Sequence, residues 1–292
     1  MRNFRDLLEA QWAKGKFVCV GLDSELGKIP ESAQVSDPEH PEKYLGLDVE
    51  CTMSDFNESI VSATRDLVCA YKPNLGFYIA YGAAGLQALW STCNIIRDIA
   101  PDVPVILDAK SADIGNTNVG YAQFAFEYLG VDAITVNPYL GGEALQSFLD
   151  YKNKGIFVLC RTSNPGADEF QDLVSAAPGG AGYRKLYQHV ACQVLNKWNK
   201  NGNCGLVIGA TRPDELREIR DSVGDTTLLI PGIGAQGGDL EKTVKAGKDS
   251  RGRGMIINSS RVIIFASNGH DFADAAYRET LKLNDLINQY LN

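Results

Sequence analysis

Short apolar runs alternate with longer segments of helical period along this chain. Residues 17–22, 68–72, 103–108, 133–137, 155–161, 205–208, 227–230 and 255–258 are apolar on both faces of an extended backbone. That is the pattern of parallel strands covered by helices on each side. Between the runs, apolar positions recur at helical spacing over 84–99, 119–129, 143–151, 183–198, 213–222 and 240–246, and 272–291 predicts a helix that closes the outer ring. Residues 4–14 predict a further helix, lying across the bottom of the sheet. About eight strand-then-helix units in 292 residues favour a single-domain (β/α)8 TIM barrel over 1–292 rather than an open sheet. Two segments exceed ordinary loop length: 24–54, with its polar stretch 30–41, predicts an exposed insertion after strand one, and 164–182 predicts a long loop after strand five.

Composition narrows the class. The chain is 45% hydrophobic and 22% charged, enough apolar mass for a large core, and its net charge is −8. An acidic surface argues against nucleic acid as the partner, since phosphate backbones need a basic face, but leaves room for a small anion in a local basic pocket. The seven cysteines form no C-x-x-C pair, and several lie inside strand-like runs (Cys19, Cys69, Cys160), so they are expected to be reduced and buried in a cytoplasmic protein. The three histidines lie far apart, so no metal site is expected. The N-terminal residues carry acids and lack the apolar stretch of a secretory signal, and no run approaches the length of a membrane span.

In such a barrel, chemistry collects where strands end at their C-terminal side. Read in order, those ends carry Asp23; Tyr71-Lys72-Pro73-Asn74; Asp108, Lys110 and Asp113; Arg161-Thr162-Ser163-Asn164-Pro165-Gly166; the glycine-rich 231–239; and Asn258-Ser259-Ser260-Arg261. The charge cluster after the third run is the sharpest of these. An extended backbone would place Asp108 and Lys110 on one side, and a lysine between carboxylates stays charged and fixed, which suits a proton donor. The pattern D-x-K-x-x-D-I-x-x-T specifies five residues and would arise by chance in about one of 10⁴ chains of this length. The four glycines of 231–239 let backbone N–H groups approach an anion, the helix start that follows adds a favourable dipole, and Arg261 supplies a forked cationic donor. The plainer readings are a flexible turn and a surface arginine. Lys72 alone could be an exposed strand-end lysine, Asp23 a turn cap and Ser163 a turn residue. No histidine accompanies Ser163, which disfavours a Ser-His-Asp hydrolase. Residues 182–185 read as the start of a helix.

Taken together, these residues resemble the orotidine 5′-phosphate decarboxylase family, in its longer bacterial branch. The likeness runs from Gly21 to Phe265 and is strongest over Asp108-Ala-Lys110-Ser-Ala-Asp113-Ile114-Gly-Asn-Thr117, with supporting blocks at Tyr71–Asn74, Arg161–Gly166, 209–213 and 231–238. Ser111 and Ala112 stand where that branch usually has Arg and Gly, outside its catalytic set. The resemblance implies cofactor-independent loss of CO₂ from C6 of orotidine 5′-monophosphate, giving UMP, the last step of pyrimidine nucleotide synthesis. It implies a catalytic set of Lys72, Asp108, Lys110 and Asp113, with Lys110 protonating C6. Asp23 and Thr117 would hold ribose hydroxyls, Ser163 the pyrimidine edge, and Gln236 and Arg261 the phosphate. It further implies a homodimer whose two sites are shared, with Asp113, Ile114 and Thr117 reaching into the other subunit's site. Two alternatives stay open: a metal-dependent sugar-phosphate barrel enzyme, which needs an acid where this chain has Lys72, and a catalytically silent phosphate-binding barrel.

Overall fold

The computed structural model describes residues 2–177, 182–234 and 236–291. Its centre is an eight-stranded parallel sheet. The strands are β1 Val18–Leu22, β2 Val68–Pro73, β3 Ile106–Ser111, β4 Ala133–Val136, β5 Gly155–Arg161, β6 Cys204–Ile208, β7 Leu228–Pro231 and β8 Met255–Ser259. Each pairs with its chain neighbours, β8 returns to β1, and parallel bridges Tyr71↔Val105 and Asn74↔Asp108 join β2 to β3 and complete the circle. Every residue of β1, β2, β4, β6 and β8 is buried, as strands covered on both sides require. The (β/α)8 barrel expected from the alternation is therefore the observed architecture.

The helix Phe4–Ala13 lies across the N-terminal ends of the strands. Asn3 caps it, accepting from Arg5 N and Asp6 N. Phe4 packs edge-on against Phe157 of β5, and Trp12 Nε1 donates to Met255 O at the start of β8, 2.8 Å away. The floor of the barrel is thus sealed with apolar rings, and the opposite end is left for chemistry. At the far end of the chain, the helix Phe272–Leu291 closes the outer ring, and its Asn284 Oδ1 accepts from Phe17 N just before β1. Among the described residues, no helix is long and apolar enough to cross a membrane. All seven cysteines are free, and burial pushes the Cys19 thiol up to about 12.

Several elements differ from expectation. The third strand, expected over 103–108, begins at Ile106 and runs to Ser111, so Lys110 lies within it as well as Asp108, while Asp113 follows it. The expected insertion 24–54 is not wholly exposed: Leu26, Ile29, Leu47, Val49 and Met53 are buried, and a long helix, Val49–Thr64, begins inside it. Asp48 caps that helix by accepting from Cys51 N, and the acids and serines scattered along it mask its apolar period in the sequence. The expected helix 183–198 starts only at Leu186. Residues Tyr183–Lys185, read as a helix start, instead pair antiparallel with Val174–Ala176. An exposed loop meets its own backbone hydrogen-bonding needs by folding back in this way. The expected helix 143–151 is broken into Gly141–Ala144 and Gln146–Leu149. Of the long loop after β5, Pro178, Gly179 and Gly180 lie outside the described residues.

Candidate active site

The C-terminal ends of the strands surround a cavity of about 470 Å³. Asp23, Lys72, Asp108, Lys110, Ser163 and Gln236 all line it, and Arg261 stands at its wall. Lys72 is the penultimate residue of β2 and is 3% exposed. Its Nζ lies 2.8 Å from Asp108 Oδ2, and Lys110 Nζ lies 2.6 Å from Asp108 Oδ1. One carboxylate thus holds two ammonium groups, one with each oxygen. Burial alone would discharge Lys72, yet the carboxylates of Asp108 and Asp23 outweigh it and hold its pKa well above the ordinary lysine value. Asp108 is the mirror case: burial opposes its charge, but Lys72 and Lys110 prevail and hold its pKa well below the usual carboxylate range.

The backbone under this network is unusual. Lys110 has φ of 51°, a left-handed conformation that costs a long side chain energy and clusters at functional sites. The extended backbone expected over Asp108–Lys110 is therefore broken at Lys110. The pairing of β3 with β4 shifts register between Leu107 and Ser111, and the bulge re-aims Lys110 into the cavity.

The remaining groups come from three other strand ends. Asp23 follows β1, and its buried Oδ1 has no hydrogen-bond partner among the described residues. Ser163 follows β5, and its Oγ donates to Gln236 Oε1 at 2.7 Å, which ties the loop after β5 to the loop after β7. Two glycines make that approach possible: a Cβ at 209 would sit 2.7 Å from Ser163 Cβ, and Gly232 has φ of 108°. Of the glycine-rich segment 231–239, Ala235 lies outside the described residues. The helix after this segment, Leu240–Gly247, is capped by Asp239, which accepts from Lys242 N. Its dipole, expected to favour a bound anion, is already answered within the chain. Arg261 opens the short helix Arg261–Ile264, and its guanidinium makes no hydrogen bond or ion pair with the described residues.

Asp113, Ile114 and Thr117 do not line the cavity. They lie where β3 passes into the helix Gly115–Gln123. Asp113 is fixed through its backbone N–H to Asn118 Oδ1, while Ile114 is 61% exposed. No ion pair joins Asp113 to Lys110 within the described residues. Around them, Tyr121, Tyr128, Tyr139 and Leu140 are exposed as well.

Two residues passed over in the sequence also belong to the site. Thr135 of β4 contacts both Asp108 and Lys110, and its signal was a hydroxyl inside the otherwise apolar run Ala133–Val136. Gln171 accepts from Thr162 N and donates to Thr162 Oγ1, which holds the chain beside Ser163; nothing local in the sequence marks it.

Comparison with known proteins gives the family. The sequence pattern of the "Orotidine 5'-phosphate decarboxylase / HUMPS family" matches residues 41–276. The chain belongs to this family. It is 44% identical over 291 residues to the orotidine 5′-phosphate decarboxylase of a Janthinobacterium strain, covering 99% of both chains. Among solved structures, OMP decarboxylase of Leishmania donovani superposes with a TM-score of 0.79 at 34% identity, covering 98% of this chain and 99% of that one. UMP synthase of the same organism gives 0.80 at 36% identity, and there this chain spans 57% of the longer protein.

Proposed function

We propose that this protein decarboxylates orotidine 5′-monophosphate to UMP, and that Lys110 is the proton donor. The observation that carries the reading is the Lys72–Asp108–Lys110 network, which presents one fixed ammonium to a cavity also lined by Arg261, an arginine without an ion-pair partner among the described residues. Loss of the C6 carboxylate as CO₂ leaves an electron pair at C6 with no path for delocalisation. A positive charge already in place stabilises that developing anion without reorganising. The C6–carboxyl bond breaks, the electron pair takes a proton from the Lys110 ammonium, and water reprotonates the amine. Lys72 keeps Asp108 ionised, and Asp108 keeps Lys110 aimed.

The other groups hold the nucleotide. Asp23, with its unpartnered oxygen, is suited to ribose hydroxyls, and the Ser163–Gln236 pair to the pyrimidine edge and the adjoining phosphate oxygen. Arg261 is free to anchor the phosphate, and binding energy gained there, away from C6, lowers the barrier of the chemical step. Asp113, Ile114 and Thr117 stand outside this chain's own cavity, with Ile114 exposed, which supports a homodimer in which they enter the second copy's site. Seven free cysteines, most of them buried, fit a cytoplasmic protein.

Lys110→Ala tests the assignment. Turnover should fall by many orders of magnitude while UMP still binds; turnover within tenfold of the unsubstituted enzyme would refute Lys110 as donor.

A further inference from the structure

We propose that Thr135 is a positioning residue for Lys110, fixing the lysine at its backbone and, through Asp108, at its ammonium. The inference rests on the decarboxylase reading above. Thr135 is 1% exposed in the middle of β4. Its Oγ1 lies 2.9 Å from Lys110 N and 2.9 Å from Asp108 Oδ1.

The chemistry of the three groups fixes the direction of both bonds. A backbone N–H only donates, so Oγ1 accepts from Lys110. An ionised carboxylate only accepts, and Asp108 is held ionised by two ammonium groups, so the hydroxyl proton goes to Asp108 Oδ1. That same oxygen receives the Lys110 ammonium at 2.6 Å. Thr135, Asp108 and Lys110 therefore close a ring of three hydrogen bonds, each with a single direction.

The backbone explains why such a clamp is needed. Between Leu107 and Ser111 the β3–β4 ladder is interrupted, so the Lys110 N–H has no ladder partner, and φ at Lys110 is 51°. A left-handed non-glycine residue persists only where its surroundings over-determine it. The Thr135 hydroxyl takes the place of the missing ladder acceptor and holds that conformation. Without it, a part-buried N–H loses its partner and the strain has nothing to oppose its relaxation. The lysine side chain would then leave the position from which it can reach C6.

Thr135→Val keeps the branched shape and removes only the hydroxyl; Thr135→Ser keeps the hydroxyl. Valine should lower kcat about 100-fold, the scale for a reacting group displaced by about 1 Å. KM and the UMP inhibition constant should stay within about threefold of the parent, because the nucleotide-holding groups lie on other strands. Serine should restore kcat to within about fivefold of the parent. The proposal is overturned if valine keeps kcat within about threefold, if serine is as damaged as valine, or if UMP binding weakens in step with kcat. Should valine fail to fold, Thr135→Ala carries the same expectations. If the unsubstituted protein does not turn over orotidine 5′-monophosphate, the decarboxylase reading fails by itself. The clamp is then judged on a crystal structure of the valine variant: relaxation of Lys110 from its positive φ supports it, and unmoved Lys110 and Asp108 overturn it.

Discussion

Asp108 divides its carboxylate between two cations: Oδ2 faces the buried Lys72 at 2.8 Å, and Oδ1 faces the half-exposed Lys110 at 2.6 Å. The arrangement has a pH signature. Asp108 is held well below the usual carboxylate range, so the stability it contributes is complete above the unfolded pKa of about 3.9 and is lost as pH falls below that toward the folded value. Asp108→Asn lacks that contribution and leaves Lys72 buried beside a neutral amide, which should cost about 3 kcal/mol near neutrality. Denaturation of both proteins from neutral pH down to about pH 3 should show a constant gap above about pH 5 that narrows below about pH 4. A gap that widens on acidification would contradict the pairing.

Arg261 lines the cavity and has no hydrogen-bond or ion-pair partner among the described residues, so its charge is available to a phosphate. Arg261→Ala should weaken UMP by roughly 2–4 kcal/mol, about 30- to 800-fold in inhibition constant. Uridine, which lacks the phosphate, should bind the variant and the parent alike. An unchanged UMP constant would remove Arg261 from the site.

Asp113 lies outside the cavity of its own chain, which makes the shared-site arrangement testable by mixing. Neither Lys110→Ala nor Asp113→Ala should be active alone. In verified mixed dimers, one of the two sites combines an intact Lys110 with an intact Asp113, so partial activity should return. Mixed dimers without activity would show that each chain completes its own site.

Much of the barrel was legible because burial on both faces leaves strands as uninterrupted apolar runs, and β5 was read to the residue. The helix Val49–Thr64 was hidden because its apolar face is diluted by acids and hydroxyls, and because a polar, proline-containing stretch precedes it. The hairpin at Tyr183–Lys185 was missed because short exposed pairings leave no periodicity. In the site, Lys72, Asp108 and Lys110 stood out as charges interrupting apolar runs. Thr135 did not, since a threonine in a strand looks like ordinary β-branched packing until its hydroxyl is seen facing Lys110. Nor could spacing reveal that Lys110 reaches the cavity through a left-handed bulge and not an extended strand.

The central claim is a decarboxylation carried out by this chain's own charges. Its most direct test is to mix the purified protein with orotidine 5′-monophosphate in the presence of EDTA and to follow the pyrimidine ultraviolet absorbance. Conversion to UMP, at a rate the chelator does not change, is the predicted result. A folded protein that leaves the substrate intact with or without added Mg²⁺ would contradict the account, and turnover that appears only with the metal would move the protein toward the metal-dependent sugar-phosphate barrels.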